Sequence, residues 1–200
     1  MTFDLINEHA SDAYKILASL VTPRPIAWVT TLDAEGVVNA APFSFFNVFG
    51  ANPPIVAFAP GNRSPGVPKD TALNIKSNGE FVVHMVDAPL AEAMNQTAAS
   101  LPMGQSELEG SGLSLLDCDT ISVPRIAESP AALECVSHSI LEIGKNRLVI
   151  GFVQRVHVRD GLFDPKTNRM DAQAYHPIGR MASPSWYCHT DDLFEMPRPD

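Results

Sequence analysis

Six extended runs with few helical stretches between them predict a mainly β protein, an antiparallel barrel with a few short flanking helices. Three observations carry this reading. The runs beginning near 25, 37, 53, 80, 131 and 147 are rich in Val, Ile, Phe, Thr and Trp, the residues that suit a pleated, half-buried surface. Two pairs of runs are joined by short segments that favour a tight reversal, "DAEG" at 33–36 and "GKN" at 144–146. No G-x-G-x-x-G follows a strand, so a parallel dinucleotide-binding sheet has no support.

The elements follow in order. Between Phe3 and Leu20 the apolar positions Ala10, Ala13, Ile16, Leu17 and Leu20 recur mostly at three- and four-residue spacing, which suits a short amphipathic helix or turn. "PIAWVTTL" (25–32) reads as a strand, Gly36 supplies the turn, and "VVNAAPFSFF" (37–46) returns. "PPIVAFAP" (53–60) is a third strand, and the glycines and prolines of "GNRSPGVPKD" (61–70) make a loop. Asp70 then has the chemistry of an N-cap for "TALNIKSNG", with Gly79 just past the helix end. "EFVVHMVD" (80–87) is a strand, 88–100 has helical composition, and 101–124 is rich in loop formers.

"AALECVSHSILEI" (131–143) and "RLVIGFVQRVHVRD" (147–160) form the second hairpin. Alternation in the latter places Ile150, Phe152, Gln154, Val156 and Val158 on the expected core face. Val149, Gly151, Val153, Arg155 and His157 fall on the other. The tail from 161 to 200 is expected to wrap a surface, its own or a partner's, with Trp186 and Tyr187 as anchors. Arg180 within it is either a ligand contact or an interface ion pair.

With 200 residues, 45% hydrophobic and 18% charged, the chain fits one domain over 1–200, with a barrel core at about 20–160 and the wrapping tail behind it. The formal charge is −9, and no Lys/Arg cluster offers a stripe for a polyanion, which argues against nucleic acid and anionic membrane as partners. No apolar run is long enough to span a bilayer, and no secretory signal opens the chain, so a cytoplasmic protein is expected. Cys118, Cys135 and Cys188 lack metal or disulfide spacing and read as reduced thiols. The six histidines form no zinc pattern and no serine sits in G-x-S-x-G, so neither metal catalysis nor a hydrolase nucleophile is expected.

Two stretches carry candidate chemistry. Pro42 cannot donate to a ladder, so "NAAPFSFFN" marks an edge, a bulge, or a place where the backbone faces something other than a strand. Ser44, Asn47 and main chain near Pro42 could meet the polar edge of a flat heteroaromatic ligand; a plain core strand is the alternative. Arg24, Arg63 and Lys69, with Ser64 and Thr71 and a helix N-terminus, could form an anion site suited to phosphate. The alternative is that Arg63 and Lys69 are solvated loop residues.

The segments "TPRPIAWVTTLDAEGVVNAAPFSFFNVFGANPPIVAFAP", "KDTALNIKSNGEFVVHMV", "IAESPAALEC" and "YHPIGRMASPSWY" resemble, in that order and over nearly the whole chain, the flavin reductase-like FMN-binding split-barrel family, close to its flavoredoxin-type branch. The resemblance implies a six-stranded antiparallel split barrel, a homodimer, and FMN near the subunit interface. It implies that Ala41, Pro42, Phe43, Ser44 and Asn47 line the isoalloxazine, chiefly through main chain. It also places Arg24, Arg63, Lys69, Asp70 and Thr71 at the phosphate and ribityl end. Implied with it is an NAD(P)H-dependent flavin reductase, in which nicotinamide gives hydride to the flavin and electrons pass onward, to a monooxygenase or an electron-transfer protein. The alternative from the same resemblance is a flavoredoxin-like carrier reduced by a protein partner. Hydride transfer needs no side-chain acid or base, so no catalytic residue is named.

Overall fold

A computed structural model describes every residue of the chain except Met103 and Asp200. Its centre is one sheet of seven strands: β1 (Ala27–Leu32), β2 (Val38–Phe43), β3 (Phe46–Ala51), β4 (Pro54–Phe58), β5 (Glu80–His84), β6 (Ala131–Ile143) and β7 (Asn146–Val158). They lie in the order β2-β1-β5-β6-β7-β4-β3, and every neighbouring pair is antiparallel.

The two outermost strands, β2 and β3, are consecutive in sequence and joined by Ser44 and Phe45 alone. Three residue steps reach at most about 11 Å, so the sheet must curl until its edges approach each other at this bend. Among the described residues no ladder forms between β2 and β3, which leaves the barrel split. Pro42 stands opposite Trp28 on a strand with no second neighbour, an edge position as its missing N–H requires.

All six expected strands are found, and β3 adds a seventh. The run 37–46 breaks at Ser44–Phe45, and Phe46 opens a new strand paired with Phe58 of β4. The apolar "FSFF" continues across the break, so hydrophobic pattern could not mark it.

Inside the curl lie Val29, Phe43, Phe46, Val56, Phe58, Phe81, Val83 and Val149, all buried. The rings of Phe43, Phe58 and Phe81 form a file with successive centroids 5.2 and 5.6 Å apart, in tilted contact. The core face of β7 is the reverse of the expected one: Val149 and Gly151 are buried, while Val156 is 52% exposed. The cause is Phe81, whose ring lies 2.4 Å from where a Cβ on Gly151 would sit. Glycine makes room for an aromatic side chain from β5, so the buried face of β7 carries a small residue where a large one would be read as core.

Three helices flank the sheet: α1 (Ala13–Leu20), α2 (Asp70–Asn78) and α3 (Ala91–Gln96). α2 buries Thr71, Ala72, Asn74 and Ile75. Its N-cap is Lys69 rather than the expected Asp70. Asp70 is the first helical residue, and its carboxylate is drawn to Arg63 at 2.6 Å instead of to a backbone N–H. At the far end Gly79 adopts φ +77° and donates its N–H to Ile75 O at 2.9 Å, as expected.

The tail folds back on its own chain. β8 (Ile178–Arg180) and β9 (Tyr187–His189) make a small hairpin, and Arg24 and Arg180 exchange backbone hydrogen bonds, each 2.9 Å. Ile178 thereby joins Ile26, Trp28, Met94 and Ile126 in a second apolar cluster outside the barrel. No helix among the described residues is long and apolar enough to cross a membrane.

Candidate functional site

The bend at Ser44–Phe45 opens onto a cavity of about 420 Å³, within the range of small-molecule sites. Pro42, Phe43, Ser44 and Phe45 form one wall, Lys69 another, and Arg180 and Tyr187 reach in from the tail. A narrow cleft of about 30 Å³ adjoins it, lined by Asn39, Ala41, Arg63, Lys69, Asp70, Thr71 and Glu107. Lys69 and Ala98 line both spaces, so the two lie side by side. The fold therefore offers a broad chamber that narrows to a slot at the N-terminus of α2, where free backbone N–H groups and the helix dipole favour an anion.

Eight of the eleven sequence-derived residues meet here: Pro42, Phe43, Ser44 and Lys69 in the chamber, and Ala41, Arg63, Lys69, Asp70 and Thr71 in the slot. Three stand apart. Ser64 is exposed and lines neither space. Asn47, on β3, lines neither space and accepts from Val48 N–H at 2.8 Å. Arg24 is 5% exposed and sits behind the wall. It donates Nη1 to Ala18 O and to Val21 O (2.7 Å), Nη2 to Met181 O (2.8 Å) and Nε to Ser44 Oγ (3.3 Å). One guanidinium thus ties the C-terminal end of α1, the tail and the bend together.

Lys69 lies with its Nζ 5.4 Å from the centre of the Phe43 ring. Burial pulls its pKa below the ordinary value, and Glu107 opposes that shift. Thr71 Oγ1 donates to Asn39 Oδ1 at 2.9 Å, which locks the first turn of α2 to β2. At the chamber's mouth the Arg180 guanidinium stacks on Tyr187 at 4.6 Å and donates to Trp186 O (3.2 Å) and Pro184 O (2.5 Å). Arg180 thus lines the chamber and braces its own tail.

Sequence reasoning missed Glu107, Asn95 and Arg147 as lining residues. Arg147 carries a weak signal, a cation at a hairpin turn; Glu107 and Asn95 carry none. Away from the site, Cys118, Glu134 and His157 bring potential ligand atoms within 4.8 Å of one another. Both oxygens of Glu134 are engaged by donors: Asp119 N and Thr120 N at 2.8 Å, Thr120 Oγ1, and His157 Nε2 at 2.5 Å. The group ties the loop before β6 to the sheet.

Comparison with known proteins agrees with this fold. The family model described as "Flavin reductase like domain" matches residues 19–179. Nitrilotriacetate monooxygenase component B from Bacillus cereus is 36% identical, with a TM-score of 0.92 over 98% of both chains. Pseudomonas fluorescens 2-nitrobenzoate 2-nitroreductase NbaA is 35% identical, with a TM-score of 0.89 over 100% of this chain and 96% of the other. A Shewanella frigidimarina protein with a split barrel domain, at 23% identity and a TM-score of 0.81 over the whole of both chains, shares the fold.

Proposed function

Because the chain belongs to the flavin reductase-like family, we propose that it is an oxidoreductase that binds FMN in the chamber and slot and takes electrons from NAD(P)H. The observation that carries the reading is Lys69, a cation lining both spaces where the chamber narrows toward the start of α2. A flat ring suits the chamber and a phosphate suits the slot, so the residues present fit the cofactor. FMN, when bound, supplies a two-electron acceptor for nicotinamide hydride.

The protein's part is binding, orientation and exclusion of water. The Pro42–Ser44 backbone, paired with β1 as far as Phe43 on one side and free on the other, would meet the ring's polar rim. Arg24 holds that bend in place through Ser44 without touching the cofactor. Lys69 and the backbone N–H of Thr71, whose hydroxyl is taken by Asn39, would receive the phosphate, and Arg63, fixed by Asp70, would contribute from the slot's edge. Tyr187, backed by Arg180, closes the mouth against solvent. Exposed apolar residues of the sheet, among them Val48 and Phe49 on the outer strand β3 and Val156 on β7, are covered by a second copy of the chain in a homodimer. Since one relative is named as a monooxygenase component, a partner oxygenase is the acceptor we favour.

Binding tests the cofactor assignment. Lys69→Ala is expected to weaken FMN binding by about 10- to 100-fold, the worth of one charge-assisted hydrogen bond, with riboflavin affected less than about threefold. Fluorescence titration of both flavins reads this directly. Equal losses for the two, or no loss for FMN, would remove the phosphate from the slot.

A further inference from the structure

The slot already holds a carboxylate of its own. Glu107 accepts from Asn39 Nδ2 at 2.9 and 2.8 Å through its two oxygens, and from Ala40 N–H at 3.0 Å. Its neighbour Ser106 donates to Val38 O at 2.5 Å, so the loop is stitched to β2 at two adjacent residues. Four charged groups face the slot: Lys69 and Asp70 at the start of α2, Arg63 from the preceding loop, and Glu107. Arg63 is engaged with Asp70 at 2.6 Å, which leaves Lys69 and Glu107 to balance each other. The two cations and two carboxylates balance, so a phosphate dianion set into this arrangement leaves the slot two negative charges in excess, with Glu107 the carboxylate not held by Arg63.

We propose that Glu107 sets the site's preference among flavins: a phosphate enters the slot as Glu107 takes up a proton, while its loop stays in place. The inference rests on the cofactor reading above. Protonated Glu107 keeps a carbonyl oxygen for Asn39 and Ala40 and gains an O–H to offer to the phosphate, so the stitches to β2 survive. Burial, with Asp70 adding to it against the N–H of Ala40, already holds this carboxyl above its ordinary pKa. The charge of a bound phosphate raises it further in the complex, and the proton is taken up as a result. FMN affinity then falls as pH rises from the free protein's pKa toward that of the complex. Riboflavin, which lacks the phosphate, leaves Glu107 alone.

The test is a titration of wild type and Glu107→Gln with FMN and riboflavin between about pH 7 and pH 8, above the phosphate's own second ionisation. Gln is neutral, accepts from Asn39 and Ala40, and donates toward the slot. It is expected to bind FMN about tenfold more tightly at the upper pH, to lose the pH dependence of the wild type, and to bind riboflavin within about twofold of it. FMN binding that is unchanged or weaker, with riboflavin intact, overturns the role of Glu107 alone. Loss of both flavins together assigns Glu107 to the fold and overturns it too. Wild-type protein that binds neither flavin overturns the cofactor reading and this inference with it.

Discussion

Arg24→Met is expected to lower stability by about 4 kcal/mol, because it leaves buried carbonyls without a donor where a charged one stood. Three of Arg24's acceptors are main-chain oxygens of Ala18, Val21 and Met181. Those of Ala18 and Val21 belong to the C-terminal turn of α1, where carbonyls have no helical partner and a cation is favoured. Methionine matches the stem but supplies no N–H, so the helix end and the tail lose their common tie. Arg24→Lys keeps the charge without the fork and should fall between. Urea denaturation gives the comparison, and a change below about 1 kcal/mol would show that water or another group serves these carbonyls equally well. Because Arg24 reaches the chamber through Ser44 and the Phe45 ring rather than directly, flavin affinities are expected to fall without favouring FMN over riboflavin. Lys69→Ala is expected to separate the two.

Acid lability is the second large effect, and it resides in two buried groups. His84 is wholly buried; the Ile126 N–H donates to its Nε2 at 2.9 Å, so its proton is on Nδ1, which donates to Trp28 O at 2.9 Å. Burial pulls its pKa down to about 4 from 6.5. The unfolded chain therefore takes up a proton first, and stability falls as pH drops from 6.5 to about 4, by about 3 kcal/mol for this group. Glu134 extends the loss: burial alone would raise it, but donors from Thr120, Asp119 and His157 outweigh that and bring it down to about 2 from 4.5. Its contribution, also about 3 kcal/mol, is present above pH 4.5 and disappears toward pH 2. His84→Gln can donate to Trp28 O and accept from Ile126 N–H without titrating. Unfolding free energies measured from pH 7 downward should be flat for this variant across the upper window. A variant as acid-sensitive there as the wild type would place the lability elsewhere.

Local chemistry made some of this architecture legible. Pro42 announced an edge because a missing N–H has the same consequence in any fold, and Gly79 announced a helix end because the left-handed turn needs it. The slot was legible for a similar reason: Arg63, Lys69 and Thr71 lie close in sequence, beside the helix start that orients them. What escaped depends on distant partners. The buried face of β7 is decided by Phe81, whose ring fills the space a side chain at Gly151 would need. Asp70 had the chemistry of a cap, and Arg63 took its carboxylate instead. Arg24 invited an anion by its charge, yet one of its acceptors lies 157 residues along the chain. Glu107 meets Asn39 across 68 residues from a loop with no periodicity, so nothing near it in sequence pointed to the site.

The measurement that bears most directly on the function is reduction of bound flavin. Protein loaded with FMN and freed of oxygen is mixed with NADH or NADPH while the visible absorption is followed. The structure and the family predict a stoichiometric FMN complex whose absorption bleaches rapidly with at least one of the two. A protein that binds no FMN contradicts the account at its centre, and tight FMN that neither nucleotide bleaches contradicts the NAD(P)H-dependent reaction and points to a carrier reduced by another protein.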